Sequence, residues 1–268
     1  MMKNIIVRVP ATSANMGPGF DCLALTLDIW NEFHVAVGEI GISITGESAE
    51  LLPKSEQNLF YQSVQAVFEH LGKKMPAISI TYENTIPVGR GLGSSASAVV
   101  GGLVAGNELS NNAIPKDVLL AMAANIEGHA DNSAAALFGG CQIVVQDKNI
   151  NSNVSIPKNL NVVLYIPKES VSTDQARSVL PSSIAYSDAT HNLGRVALLI
   201  NSLNSGNLND LKISTEDKLH QQYRQSILPF MRVIINSAIN AGAYGAFLSG
   251  SGSTILALSA GKEMTIAY

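Results

Sequence analysis

Apolar residues alternate with polar ones, or run together briefly, through the first fifty positions. Residues 5–9 (IIVRV), 23–37 and 42–45 therefore read as strands. Over 55–72 the period lengthens. Leu59, Phe60, Val64, Val67, Phe68 and Leu71 fall on one face of a helix, which Ser55 or Asn58 can cap. A short strand over 77–87 follows. After it the glycine-rich stretch 87–97 leads into an Ala/Val/Gly run to about 109. That run predicts a helix buried nearly all round, with small residues that let neighbours approach closely. Residues 116–126 read as another apolar helix, and CQIVVQ (141–146) and NVVLYIP (161–167) as strands.

Helical periodicity dominates from 172 onward. STDQARSVL opens on a capping-box pattern, Ser172 with Gln175 three residues later. Helices are predicted near 187–203, 207–220 and 229–241, and the strands AYGAFLSG and STILALS close the pattern. Strands first, a mixed middle, helices later and strands again imply an α+β fold in two lobes. The polar, turn-rich segment DKNINSNVSIPKN (147–159) places the boundary near 150, giving domains 1–150 and 151–268.

Composition narrows the function classes. Hydrophobic residues make up 46% and charged residues 14%, which suits a filled interior and not a disordered chain. The net charge is -4, and no Lys/Arg cluster offers a nucleic acid the basic face it needs. No apolar run is long enough to span a membrane, and the N-terminus reads as a strand instead of a signal peptide. Cys22 and Cys141 stand far apart and predict reduced, buried thiols, as expected of a cytoplasmic protein.

Four stretches carry candidate chemistry. In PVGRGLGSSAS (Pro87, Val88, Gly89, Arg90, Gly91, Leu92, Gly93, Ser94, Ser95, Ala96, Ser97) glycines alternate just before a helix starts. Glycines let the backbone approach a ligand closely, and a helix N-terminus presents unpaired N–H groups to a phosphate. The stretch lacks the G-K-[S/T] of a Walker loop and the third glycine of a dinucleotide fingerprint. A ligand-free strand-to-helix turn is the alternative. PATSANMGPGFDCLALTLD (10–28) reads as a tight loop between strands, with Asn15 and Asp21 either functional or turn-making. EGHADNSAAALFGG (127–140) packs Glu127, His129, Asp131 and Asn132 into six residues. No spaced His/Cys ligand set for zinc occurs. FLSGSGSTILAL (247–258) reads as a hairpin turn or a third site loop.

In order and spacing these stretches resemble the GHMP small-molecule kinase superfamily over nearly the whole chain, and its homoserine kinases in particular. STDQARSVLP and LHQQYRQSILP add to that likeness. The resemblance implies a two-lobe GHMP kinase fold, with an N-terminal lobe like domain 2 of ribosomal protein S5 and a ferredoxin-like C-terminal lobe. It implies ATP over Pro87–Ser97, with the N–H groups of Gly91 to Ala96 around the phosphates. Mg²⁺ would sit at Ser95 and Glu127; where relatives often carry a second glutamate this chain has Asn125. L-Homoserine would be bound by Asn15, Asp21, Asp131, Asn132, Arg177 and Arg224. Asn15 and Asp131 would be the catalytic candidates, Asn15 near the attacking hydroxyl and Asp131 as the rival base. The resemblance is also compatible with a homodimer. Relatives continue past LSGSGSTILAL with a further helix and strand, so it implies a C-terminal lobe truncated at its end.

Overall fold

The computed structural model describes residues 4–260 and the backbone of 266–267. Strand β1 (Asn4–Asn15) pairs antiparallel with the long β2 (Gly19–Val37) across a turn at 16–18. Both strands run into the stretch expected to be a loop. β3 (Gly41–Gly46) lies parallel to β4 (Ile78–Asn84), and α1 (Leu59–His70) connects them. β4 pairs with β2 over 32–37, and β5 (Cys141–Val145) pairs with β2 over 23–25. β6 (Ile150–Val154) completes this sheet beyond β5. Its polar sequence had read as linker.

Asn58, not Ser55, caps α1: its Oδ1 accepts from the N–H groups of Phe60 (3.0 Å) and Tyr61 (3.4 Å). α2 (Ser94–Leu109) is buried along most of its length, as its small residues predict. A Cβ on Gly102 would stand 2.2 Å from the Phe60 carbonyl oxygen, so α1 and α2 meet backbone to backbone there. α3 (Lys116–Glu127) is followed at once by α4 (Asp131–Phe138), a helix that the Ala-rich sequence did not disclose. Phe33 stacks on Phe60 at 4.4 Å and leans on Tyr82 at 4.3 Å in the core between sheet and helices.

A second, four-stranded sheet has the order β10-β7-β9-β8, formed by β7 (Leu160–Tyr165), β8 (Gly245–Leu248), β9 (Ile255–Ala260) and β10 (Ile266–Ala267). Between β7 and β8 lie α5 (Thr173–Ser178), α6 (Tyr186–Ser205), α7 (Leu211–Ser214), α8 (Gln221–Arg224) and α9 (Met231–Asn240). The helix expected over 207–220 is broken into a 3₁₀ turn, the single turn α7, and a loop that Asp217 organises. Asp217 accepts from the N–H groups of Leu219, His220 and Gln221, so its side chain outcompetes helical pairing. A second core joins the sheets: Leu23, Leu25, Ile86 and Leu92 from one side meet Leu164, Phe247 and Leu256 from the other. The expected truncation concerns the end of the chain, outside the described residues. Among the described residues no helix is long and apolar enough to cross a membrane.

Candidate active site

The glycine loop is shaped by three distant segments. Thr12 N–H donates to Leu92 O (3.0 Å), Val171 N–H to Gly89 O (2.9 Å) and Thr254 N–H to Arg90 O (3.1 Å). The Ser249 hydroxyl lies 2.6 Å from Gly91 O and 2.8 Å from Ser13 Oγ. Gly91 and Gly93 sit at φ 71° and 70°, a region that L side chains rarely adopt. A Cβ would fall 2.1 Å from Ser249 O at Gly91 and 2.0 Å from Thr12 Oγ1 at Gly93. Only glycine fits either place. Gly93 is also the N-cap of α2 and brings no side chain to its first-turn N–H groups. The helix end, with its partial positive charge, is therefore left to a ligand.

This loop forms one wall of a cavity of about 280 Å³ that also collects Asn15, Asp21, His129, Asp131, Asn132, Arg177 and Arg224. Asn15 and Asp21 flank the β1–β2 turn with φ of 70° and 55°. Asn15 Nδ2 donates to Gly250 O (3.0 Å), and its Oδ1 accepts from Asp21 N–H (3.0 Å). Both residues therefore make the turn and also line the cavity. Asp21 receives both terminal nitrogens of Arg177, at 3.0 and 2.8 Å. That hydrogen-bonded carboxylate raises the Arg177 pKa further above its ordinary value. Ser172 caps α5, which carries Arg177, through Gln175 N–H (3.1 Å).

Arg224 is almost wholly buried. Its Nε donates to Ala176 O (3.2 Å), and its Nη1 reaches Gly250 O (2.8 Å) and His220 Nδ1 (3.0 Å). Nη2 has no protein partner among the described residues. Burial, with the Arg177 charge nearby, brings the guanidinium down to about 10, still cationic at neutral pH.

Beyond the loop, Ser95 Oγ donates to Glu127 Oε2 (2.8 Å), joining the start of α2 to the end of α3. Burial raises the Glu127 carboxyl above its usual range, a cost that a nearby cation would remove. Asp131 Oδ1 accepts from Asn132 N–H (2.7 Å) and lies 3.1 Å from His129 Nδ1. That contact lifts the His129 pKa against the opposing effect of burial. Thr12 Oγ1 donates to Asn132 Oδ1 (2.7 Å), tying β1 to α4.

Pro87 to Ser95 thus line the cavity together with Asn15, Asp21, Asp131, Asn132, Arg177 and Arg224. Ala96 and Ser97 lie behind it. The Ser97 N–H is used within α2, and its hydroxyl accepts from Asn31 Nδ2 (2.9 Å). Sequence reasoning missed Val171, Ser172 and Thr173 as cavity walls, whereas Gly250 and Ser251 come from the stretch 247–258 that it had named as a turn or a third site loop. It also missed Phe20, whose ring lies 5.5 Å from the Arg177 guanidinium and 5.6 Å from that of Arg224. The one-turn spacing of His220 and Arg224 was the available clue to His220. Both cysteines are free, but only Cys141 is buried as expected while Cys22 is half-buried; burial pushes Cys22 up to about 11 and Cys141 to about 12.

Comparison with known proteins gives a consistent result. A family model for the GHMP kinases N terminal domain matches residues 58–140, and one for the GHMP kinases C terminal region matches 189–263. The homoserine kinase of Caldanaerobacter subterraneus is 42% identical over 94% of this chain and 82% of its own length. That of Crocosphaera subtropica is 41% identical over 96% and 86%. The crystal structure of homoserine kinase from Cytophaga hutchinsonii superposes with a TM-score of 0.88 at 33% identity, covering 98% of this chain and 87% of that one. Mevalonate kinase from L. major, at 16% identity and a TM-score of 0.76 over 97% and 89%, shares the fold.

Proposed function

The chain belongs to the GHMP kinases, alongside their homoserine kinases, and from that premise we propose that it transfers the γ-phosphate of ATP to the side-chain hydroxyl of L-homoserine. The product is O-phospho-L-homoserine, a step of threonine biosynthesis. One observation carries the reading: a single cavity places the glycine loop against two carboxylates and two guanidinium groups. A zwitterionic amino acid asks for that charge set, whereas a sugar or mevalonate does not.

In this reading the amide groups of Gly91 to Ser95, which line the cavity where Ala96 does not, hold the triphosphate at the start of α2. The amino acid's carboxylate goes to Arg177 and to the free Nη2 of Arg224, and its ammonium to Asp21 and Asp131. Asn15 and Asn132 orient the hydroxyl. Ser95 and Glu127 suit Mg²⁺: the hydroxyl and the half-buried carboxylate are already side by side and supply the hard oxygen ligands that this ion prefers. The ion, when bound, offsets charge on the phosphate oxygens. Phosphoryl transfer asks mainly for alignment and charge stabilisation, so positioning by Asn15 dominates and Asp131 serves as an anchor, not an obligatory base. Two lobes divide this labour, their boundary falling after β6 and not at 150, since β6 pairs within the first sheet. The first brings the phosphate loop and the second both arginines.

A coupled assay of ADP release with homoserine, mevalonate and galactose tests the assignment. ADP is expected with homoserine alone. Release with mevalonate or galactose and none with homoserine overturns the substrate. Binding of ATP without ADP from any of the three points to a non-catalytic ligand sensor.

A further inference from the structure

Three arginines line the cavity: Arg177 is held by Asp21, Arg90 donates from Nη2 to the Lys168 carbonyl oxygen, and Arg224 has as neighbours Ala176 O, Gly250 O and one imidazole nitrogen. That imidazole belongs to His220, one helical turn earlier and fully buried. Its other nitrogen, Nε2, lies 2.8 Å from the Gly17 carbonyl oxygen in the β1–β2 turn. A carbonyl can only accept, so the proton sits on Nε2. Nδ1 then holds a lone pair, facing the Arg224 Nη1 donor at 3.0 Å. The tautomer is fixed from both sides. Asp217, whose Oδ2 stands 3.7 Å from Nε2, is taken up by Asn192 and by the backbone N–H groups of 219–221.

Phe20 completes the arrangement. Its ring stands 5.3 Å from the His220 ring, with the guanidinium groups of Arg177 and Arg224 at 5.5 and 5.6 Å. Two like charges share one aromatic platform, and only Arg177 is also held by a carboxylate. The plane of Arg224 is set instead by the carbonyls of Ala176 and Gly250 and by His220 Nδ1, the one side chain among the three, and a guanidinium forks onto a carboxylate only when correctly oriented.

We propose that His220 is a positioning residue for substrate binding: its Nδ1 lone pair orients Arg224 so that the free Nη2 faces the carboxylate of the amino-acid substrate. This rests on the substrate reading given above. His220 touches no reacting atom, and Gly17 and Phe20 keep its ring in place.

Two substitutions separate the halves of the imidazole. His220→Asn keeps an acceptor near the Nδ1 position, and His220→Gln keeps a donor near Nε2. Wild-type turnover with homoserine is the control, and its absence overturns the substrate reading by itself. Given turnover, His220→Ala and His220→Gln raise the KM for homoserine about tenfold or more, with the KM for ATP and kcat within about threefold. His220→Asn recovers most of that loss. Equal KM values in all three variants, or recovery by Gln and not by Asn, overturn the proposal. A readout independent of substrate is ¹⁵N NMR of the wild-type enzyme, with the His220 signals assigned by their loss in His220→Asn. A neutral ring protonated at Nε2 is expected at neutral pH. An imidazolium, or a ring protonated at Nδ1, overturns the proposal even where homoserine is turned over.

Discussion

The two walls of the cavity are built by opposite means. The wall proposed for phosphate is main chain, a helix start without a side-chain cap, held open by glycines that tolerate no Cβ. The wall proposed for the amino acid is side chain, a set of charges and an imidazole that contact one another. The first kind of site is written locally in Pro87–Ser97. The second gathers residues from 15 to 224 and exists only through folding. Steric substitutions should therefore ruin the first wall, while changes of charge or geometry should weaken the second selectively.

The largest effect is expected at Gly93→Ala. The added methyl meets Thr12 Oγ1 and a backbone at positive φ, so the loop must shift. A displacement of that order costs about 10²-fold in kcat/KM, together with a lower Tm. ADP release and thermal melts check both; normal activity would remove the cradle from the mechanism. Next comes Arg224→Lys, which keeps the charge and loses the fork. The KM for homoserine should rise on the order of 10²-fold, the worth of a buried charge pair of about 3 kcal/mol. The KM for ATP should stay put, and a parallel rise in both would mean that the two walls are not separate.

Asp131→Asn ranks third. Obligatory base catalysis would cost about 10² to 10⁴-fold in kcat, whereas an anchor lost from the second wall should show mainly in KM. Saturating homoserine isolates kcat, and a collapse there with unchanged KM would make Asp131 the base. The smallest effect concerns pH. Hydrogen bonding to Asp131 raises the folded-state pKa of His129 above its ordinary 6.5. The resulting stabilisation is complete below about 6.5 and fades as pH rises through the folded value. Urea midpoints followed from pH 6 to 9 should fall more steeply in the wild type than in His129→Gln. Identical slopes would dissociate the imidazole from Asp131.

The same contrast explains what the sequence disclosed. Glycine spacing, the helix that follows it and the Ser172 cap are short-range signals, and each appears where expected. α4 escaped notice because Asp131 and Asn132 read as loop chemistry while their Ala-rich continuation lacks an apolar stripe. β6 escaped because its edge-strand sequence is polar. The helix over 207–220 was expected from periodicity, but Asp217 turns its own carboxylate onto the backbone and ends it. Phe20 and His220 are long-range members of the site. Nothing adjacent in sequence announces that one ring will carry two guanidinium groups, although the His220–Arg224 spacing hints that the pair shares a helix face.

Three clasps from residues 12, 171 and 254 fix the shape of the glycine loop, and two of them reach it from beyond residue 150. The loop's shape thus depends on contacts that only a chain reaching past residue 254 can make. A nascent fragment ending at 150 would carry every letter of the phosphate signature yet lack the clamps that give it form.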